Sequence, residues 1–133
     1  MPPLIHCQDV RKRYADQEVL RGASLTIEAG EMVALMGRSG SGKSTLLHII
    51  GGLDRDYLGQ VSVLGQDLSR LSDPQLAALR NAQVGFVFQA FHLLDHLSAR
   101  ENVLLPDAFA PSPLPPAEAR ARADAALARV GLG

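Results

Sequence analysis

Residues 37–45 read Gly37-Arg38-Ser39-Gly40-Ser41-Gly42-Lys43-Ser44-Thr45, a match to G-x-x-x-x-G-K-[ST]. Before it stands Met32-Val33-Ala34-Leu35-Met36, apolar at every position, as expected of a strand buried on both faces of a parallel sheet. After it, Leu46, Leu47, Ile49 and Ile50 cover enough of a helical circumference to predict a largely buried helix from Lys43 to Ile50, stopped by Gly51-Gly52. A strand, a glycine-rich loop and a helix in that order make an anion cradle. The glycines permit a turn tight enough for successive N–H groups to converge, and the helix dipole favours phosphate there. Lys43 is then placed to reach β- and γ-phosphates, and the Ser44 hydroxyl to ligate Mg²⁺. The chain has eleven arginines and only two lysines, yet position 43 is lysine. A compact ammonium fits inside a backbone loop where a planar guanidinium does not. The rival dinucleotide pattern G-x-G-x-x-G fails, because Thr45 takes its last position.

Outward from this loop, short apolar runs predict strands at about Leu4 to Val10, Val19 to Ile27, Gln60 to Leu64 and Val84 to Phe88. Ser72 with Gln75 and Ser98 with Glu101 have capping-box spacing, which predicts helices from about Pro74 to Arg80 and from Ser98 to Pro106. Five of the eight prolines fall between Pro106 and Pro116, so that stretch reads as a stiff linker. Ala117 to Val130 reads as an alanine-rich helix with a thin apolar stripe. At 133 residues, 47% hydrophobic and with a net charge of −1, the chain is expected to be globular rather than disordered. The near-neutral balance leaves no electrostatic footprint for nucleic acid. The longest charge-free run, Asn81 to Leu94, is too short and polar to enter a bilayer directly, and the opening ten residues lack the pattern of a secretion signal. The lone Cys7 reads as a small core residue in a reducing compartment, and His92 with His96 as surface histidines.

A phosphate loop alone leaves kinases, GTPases and several ATPase classes open. Around it, Val10-Arg-Lys12-Arg-Tyr14, Val19-Leu20-Arg-Gly-Ala-Ser24 and Val84-Gly85-Phe86-Val87-Phe88-Gln89 resemble the ATP-binding subunit of ABC transporters. Ser44-Thr-Leu-Leu-His48-Ile-Ile-Gly-Gly-Leu-Asp54 and Glu101-Asn-Val-Leu-Leu-Pro106 bring it nearest the lipoprotein-releasing, macrolide-export and cell-division group. Asp95 and the Arg55 to Leu58 stretch depart from that group's usual pattern. The resemblance implies an α/β fold: a P-loop NTPase core with an incomplete parallel sheet, an N-terminal antiparallel β-subdomain and the start of a helical subdomain. The implied boundaries are 1–31, 32–89 and 90–133. It also implies that Tyr14 stacks on adenine, that Gly37 to Thr45 hold the phosphates of ATP, and that Gln89 forms a Q-loop touching Mg²⁺ beside Ser44. A membrane permease would dock on the region after Gln89, with the ATP-binding domains paired as a homodimer at the cytoplasmic face of the membrane.

The resemblance further implies parts that are not in the 133 residues. There is no L-S-G-G-Q signature and no Asp-Glu dipeptide, so no Walker B aspartate with its adjoining catalytic glutamate can be assigned. No histidine follows a late strand as a switch histidine would. The expectation is therefore the N-terminal part of an ATPase domain that binds ATP and, alone, does not turn it over. The alternatives are a non-catalytic nucleotide-binding module and, against the Q-loop context, a small P-loop kinase.

Overall fold

The computed structural model describes residues 2–38, 40–110 and 112–133, so the expected phosphate ligand Ser39 and the linker residue Pro111 lie outside the described residues. The chain divides into two compact units, one ending at Arg80 and the other beginning at Asn81.

The first unit is built on a four-stranded antiparallel sheet in the order β2-β1-β3-β4, with β1 at Ile5–Tyr14, β2 at Gln17–Ile27, β3 at Leu58–Val63 and β4 at Gln66–Asp67. The sheet thus draws two strands from beyond the phosphate loop as well as the first two. β1 runs four residues past its expected end at Val10. Ala15-Asp16 makes the hairpin turn, and Tyr14 pairs with Gln17.

Strict alternation cannot bury both Cys7 and Val10, which differ by three. A register shift between them resolves this, with Asp9 at φ 50 taking up the extra residue. The neighbouring strands make room for this bulge with glycine. A Cβ on Gly59 would come within 2.3 Å of the Asp9 carbonyl oxygen, and one on Gly22 within 2.6 Å of its Oδ1. The inward face packs Cys7, Val10, Leu20, Val61 and Val63 against Leu46 and Ile49 of α1 (Lys43–Ile50), Leu68 in a single 3₁₀ turn, and Leu76 of α2 (Asp73–Gln83). The Ser72 hydroxyl accepts from the Gln75 amide at 3.3 Å while Gln75 Oε1 accepts from the Ser72 amide at 2.9 Å, as the capping-box spacing predicts.

Two expected strands are not formed. Residues 32–36 and 84–88 carry neither strand nor helix, and the sheet among the described residues has no parallel ladder. Met32 is 99% exposed, Met36 89% and Val87 103%. Their composition suits a strand buried on both faces, but a strand exists only with a hydrogen-bonded neighbour, and no described segment pairs with either run.

In the second unit, α3 (Ala99–Ala108) opens with a complete capping box between Ser98 and Glu101 and carries Pro106 inside its last turn, two residues beyond where proline was expected to end it. α4 (Pro116–Arg129) buries Ala119 and Ala123, and Arg100 of α3 grips Asp124 of α4 through two hydrogen bonds of 2.7 and 3.2 Å. Asn102 organises the approach to α3: its Oδ1 accepts from the Leu94 amide at 3.0 Å and its Nδ2 donates to the carbonyls of Leu94, Leu97 and Ser98. No helix among the described residues is long and apolar enough to cross a membrane.

Candidate functional site

The turn from residue 37 into α1 is shaped by two glycines. Gly42, the N-cap of α1, sits at φ 94, ψ 7, a left-handed conformation that any residue with a Cβ resists. It is also buried against β2: an added Cβ would lie 2.8 Å from Leu20 Cδ2 and 3.0 Å from the Val19 carbonyl oxygen. At Gly37 a Cβ would fall 2.6 Å from Ser41 Oγ. The Ser41 amide donates to the Arg38 carbonyl at 3.1 Å, closing the loop tightly, and the Leu46 amide donates to Gly42 at 2.9 Å to start the helix. Lys43 folds back over the loop, its Nζ donating to the carbonyls of Gly37 and, at 3.3 Å, Arg38. No side chain caps the start of α1, and no acidic residue stands in its first turn. The first amides of the helix are thereby left for an external acceptor, beside an ammonium and the exposed Ser44 hydroxyl. Thr45 is half-buried one residue on, while Arg38, Gly40 and Ser41 are exposed on the loop.

Tyr14 ends β1 with half of its surface exposed. It lines an open depression of about 690 Å³ with Arg13, Ala15, Asp16, Gln17, Glu18 and Arg21. A second depression of about 510 Å³ shares Gln17, Glu18 and Arg21 with the first and reaches Gly40 and Ser41. The two depressions therefore adjoin along β2, one beside the Tyr14 ring and the other beside Gly40 and Ser41 of the loop. Gln89 belongs to the second unit, exposed at a bend just after the 84–88 run. Near it the Phe86 and Phe88 rings stack at 5.3 Å, and Phe88 tilts against His92 at 4.5 Å.

One charged cluster beside Tyr14 joins residues 42 positions apart. Lys12, 5% exposed, donates to Asp54 Oδ1 at 3.1 Å and to the Asp56 carbonyl at 2.6 Å. Its Nζ also sits 2.9 Å from Asp54 Oδ2 and 5.0 Å from the centroid of the Tyr14 ring. Burial pulls the lysine toward losing its proton, but the hydrogen bond and charge of Asp54, then of Asp56, outweigh that and hold it above the ordinary lysine value. Asp54 mirrors this. Burial pushes its carboxyl up, and the hydrogen bond from Lys12 with that from the Asp56 amide brings it below the ordinary value.

A sequence model of the ABC transporter family matches residues 20–133. Among curated proteins, the chain is 50% identical over 134 residues to the macrolide export ATP-binding/permease protein MacB of Syntrophobacter fumaroxidans, covering 98% of this chain and 19% of that protein. It is 49% identical over 135 residues to the pyoverdine export ATP-binding/permease protein PvdT of Pseudomonas putida, covering 98% and 20%. The chain thus spans about a fifth of the length of these curated relatives. Among solved structures, the dimeric structure of the bacterial ABC transporter cassette MJ0796 matches with a TM-score of 0.84 at 40% identity, over 93% of this chain and 56% of that one. A second structure of that cassette, a post-hydrolysis state bound to ADP and Pi, matches with a TM-score of 0.82 at 38% identity, over the same shares.

Proposed function

The chain belongs to the ABC transporter family, and on that premise we propose that it serves as the ATP-binding part of an export system, where ATP binding and hydrolysis drive a substrate through a membrane permease. Its fold is that of the α/β P-loop ATPase cassettes it matches. The observation that carries the proposal is the uncapped start of α1. Gly42 in a left-handed conformation, the Lys43 ammonium at the loop and no competing acidic side chain leave converging donors for a polyphosphate. Gly37, Arg38, Gly40, Ser41, Gly42, Lys43, Ser44 and Thr45 would surround the phosphates, with Ser39 completing the loop. Tyr14, half-exposed beside the first depression, would take the base. Ser44 would hold Mg²⁺, with Gln89 read as a further ligand on the family resemblance alone, and the ion would supply positive charge to offset that of the phosphates.

The finer assignments rest on resemblance. The region after Gln89 would meet the permease, the cassettes would pair as a homodimer, and the assembly would sit on the cytoplasmic face of the membrane. The dimeric structures of MJ0796 support the pairing, and the ATP-binding/permease names of the curated relatives support a permease partner.

Titration of the purified chain with MgATP, beside a Lys43→Ala variant, tests the assignment. Loss of a charged hydrogen-bond donor to phosphate lowers affinity by roughly ten- to a hundredfold, whereas equal affinities would refute the phosphate loop. The 133 residues contain no Asp-Glu dipeptide to orient water. The chain alone is therefore expected to release phosphate no faster than the Lys43→Ala variant.

A further inference from the structure

We propose that Lys12 is a positioning residue for base recognition: it fixes the Tyr14 ring and ties the strand carrying that ring to the far end of the phosphate-loop helix. The inference rests on the reading of Tyr14 as the base platform and goes beyond it to what holds the platform in place.

Lys12 and Tyr14 stand two residues apart at the end of β1, and the Lys12 ammonium lies over the Tyr14 ring, 5.0 Å from its centre. A cation at that distance is attracted to the ring's π-face and removes rotational freedom from a side chain that is otherwise half in solvent. Lys12 is itself held firmly. Asp54 receives it at 2.9 and 3.1 Å, and the Asp56 carbonyl at 2.6 Å. Asp54 in turn is anchored to the end of α1, because its amide and that of Leu53 both donate to the His48 carbonyl, at 3.3 and 2.8 Å. The Asp54 carboxylate also accepts from the Asp56 amide at 2.9 Å, which locks the turn.

α1 begins at the phosphate loop and ends at this turn. One buried ammonium therefore sets the base platform relative to the helix whose other end cradles phosphate. A lysine kept only for stability would be unusual here, since a well-packed apolar residue of similar volume avoids the cost of burying charge. What an apolar residue lacks is the attraction to the ring.

The test compares two probes, MgATP and Mg-bound inorganic triphosphate, which share the phosphate loop and differ in the base. Each is titrated by calorimetry into the wild-type chain and into Tyr14→Ala, Lys12→Met and the double variant Lys12→Met/Asp54→Asn. The double variant removes the orphaned carboxylate charge in case Lys12→Met alone does not fold. The expected result is a fall of roughly three- to tenfold in ATP affinity in both Lys12 variants, no change in triphosphate affinity, and no further loss when Tyr14→Ala is added. A parallel drop for both probes would show that Lys12 only supports the fold, and an unchanged ATP affinity would show that it does nothing for the base. Either result overturns the proposal while leaving Tyr14 in place. If Tyr14→Ala itself does not lower the preference for ATP over triphosphate, the platform reading fails and the proposal falls with it.

Discussion

Gly40 and Gly42 lie in the same loop, both with left-handed backbones, at φ 80 and φ 94. The structure nevertheless assigns them very different costs on replacement by alanine. A left-handed conformation costs an ordinary L-residue roughly 1–2 kcal/mol, and both variants carry that penalty. At Gly40 a Cβ meets nothing within 4 Å, so nothing is added. At Gly42 it would lie 2.8 Å from Leu20 Cδ2, 3.0 Å from the Val19 carbonyl and 3.2 Å from Val19 Cγ1. Leu20 is in the core and the carbonyl is backbone, so neither yields without moving β2 away from α1. Overpacking of this kind adds about 1–3 kcal/mol. Gly42→Ala should therefore cost about 2–5 kcal/mol against about 1–2 kcal/mol for Gly40→Ala, a large share of the stability of a domain this size. Urea denaturation followed by circular dichroism measures both. Equal costs in the two variants would refute the close packing of the loop against β2, and with it the argument that Gly42 is fixed by contact as well as by conformation.

Asn102→Ala removes the acceptor of the Leu94 amide and the donor to three carbonyls, and should destabilise the entry to α3 by about 1–3 kcal/mol. Ser98→Ala, which loses the cap on Glu101, should cost about 1 kcal/mol. Faster amide hydrogen exchange over residues 94–101 in both variants is the check. With pH, the Asp54 carboxyl is held below its ordinary 3.8, so its contribution is complete above that pH and lost as the pH falls through its lower folded value. Lys12 is held above 10.5, and its contribution is lost only at pH beyond that. Asp54→Asn should flatten the acid limb of the stability curve below about pH 4. Burial pushes the Cys7 thiol from 9.0 to about 11, so the fold favours its neutral form and loses that stability as pH rises from 9.0 to about 11. Denaturation of Cys7→Ala over the same range should show a shallower decline.

Where the determinants are local, the residues gave them away. The left-handed Gly42 at the start of α1 acts through its own backbone, and both capping boxes close over three residues, so spacing alone marks them. The runs at 32–36 and 84–88 failed for the opposite reason. Their apolar character describes a buried strand, but whether a strand forms depends on a neighbouring chain segment that periodicity cannot supply. The bulge at Asp9 was invisible because its permission comes from Gly22 and Gly59, on two other strands. Lys12 and Asp54 are 42 positions apart. The only sequence hint was a lysine two residues before Tyr14 in a chain that otherwise chooses arginine. The four-residue extension of β1 does not show in the apolar pattern, since Arg11, Lys12 and Arg13 interrupt it although Lys12 turns inward.

The burial of Lys12 and the folding of Lys43 onto its own loop have a consequence for covalent chemistry. These are the chain's only two lysines, so an acylating reagent finds just two side-chain amines. One is 5% exposed between two aspartates, and the other is half-buried and engaged by two carbonyls. Acylation of Lys12 has to wait for the sheet to open. At Lys43 it competes with whatever sits in the phosphate loop, so the rate at which mass is added at that residue falls as the loop fills.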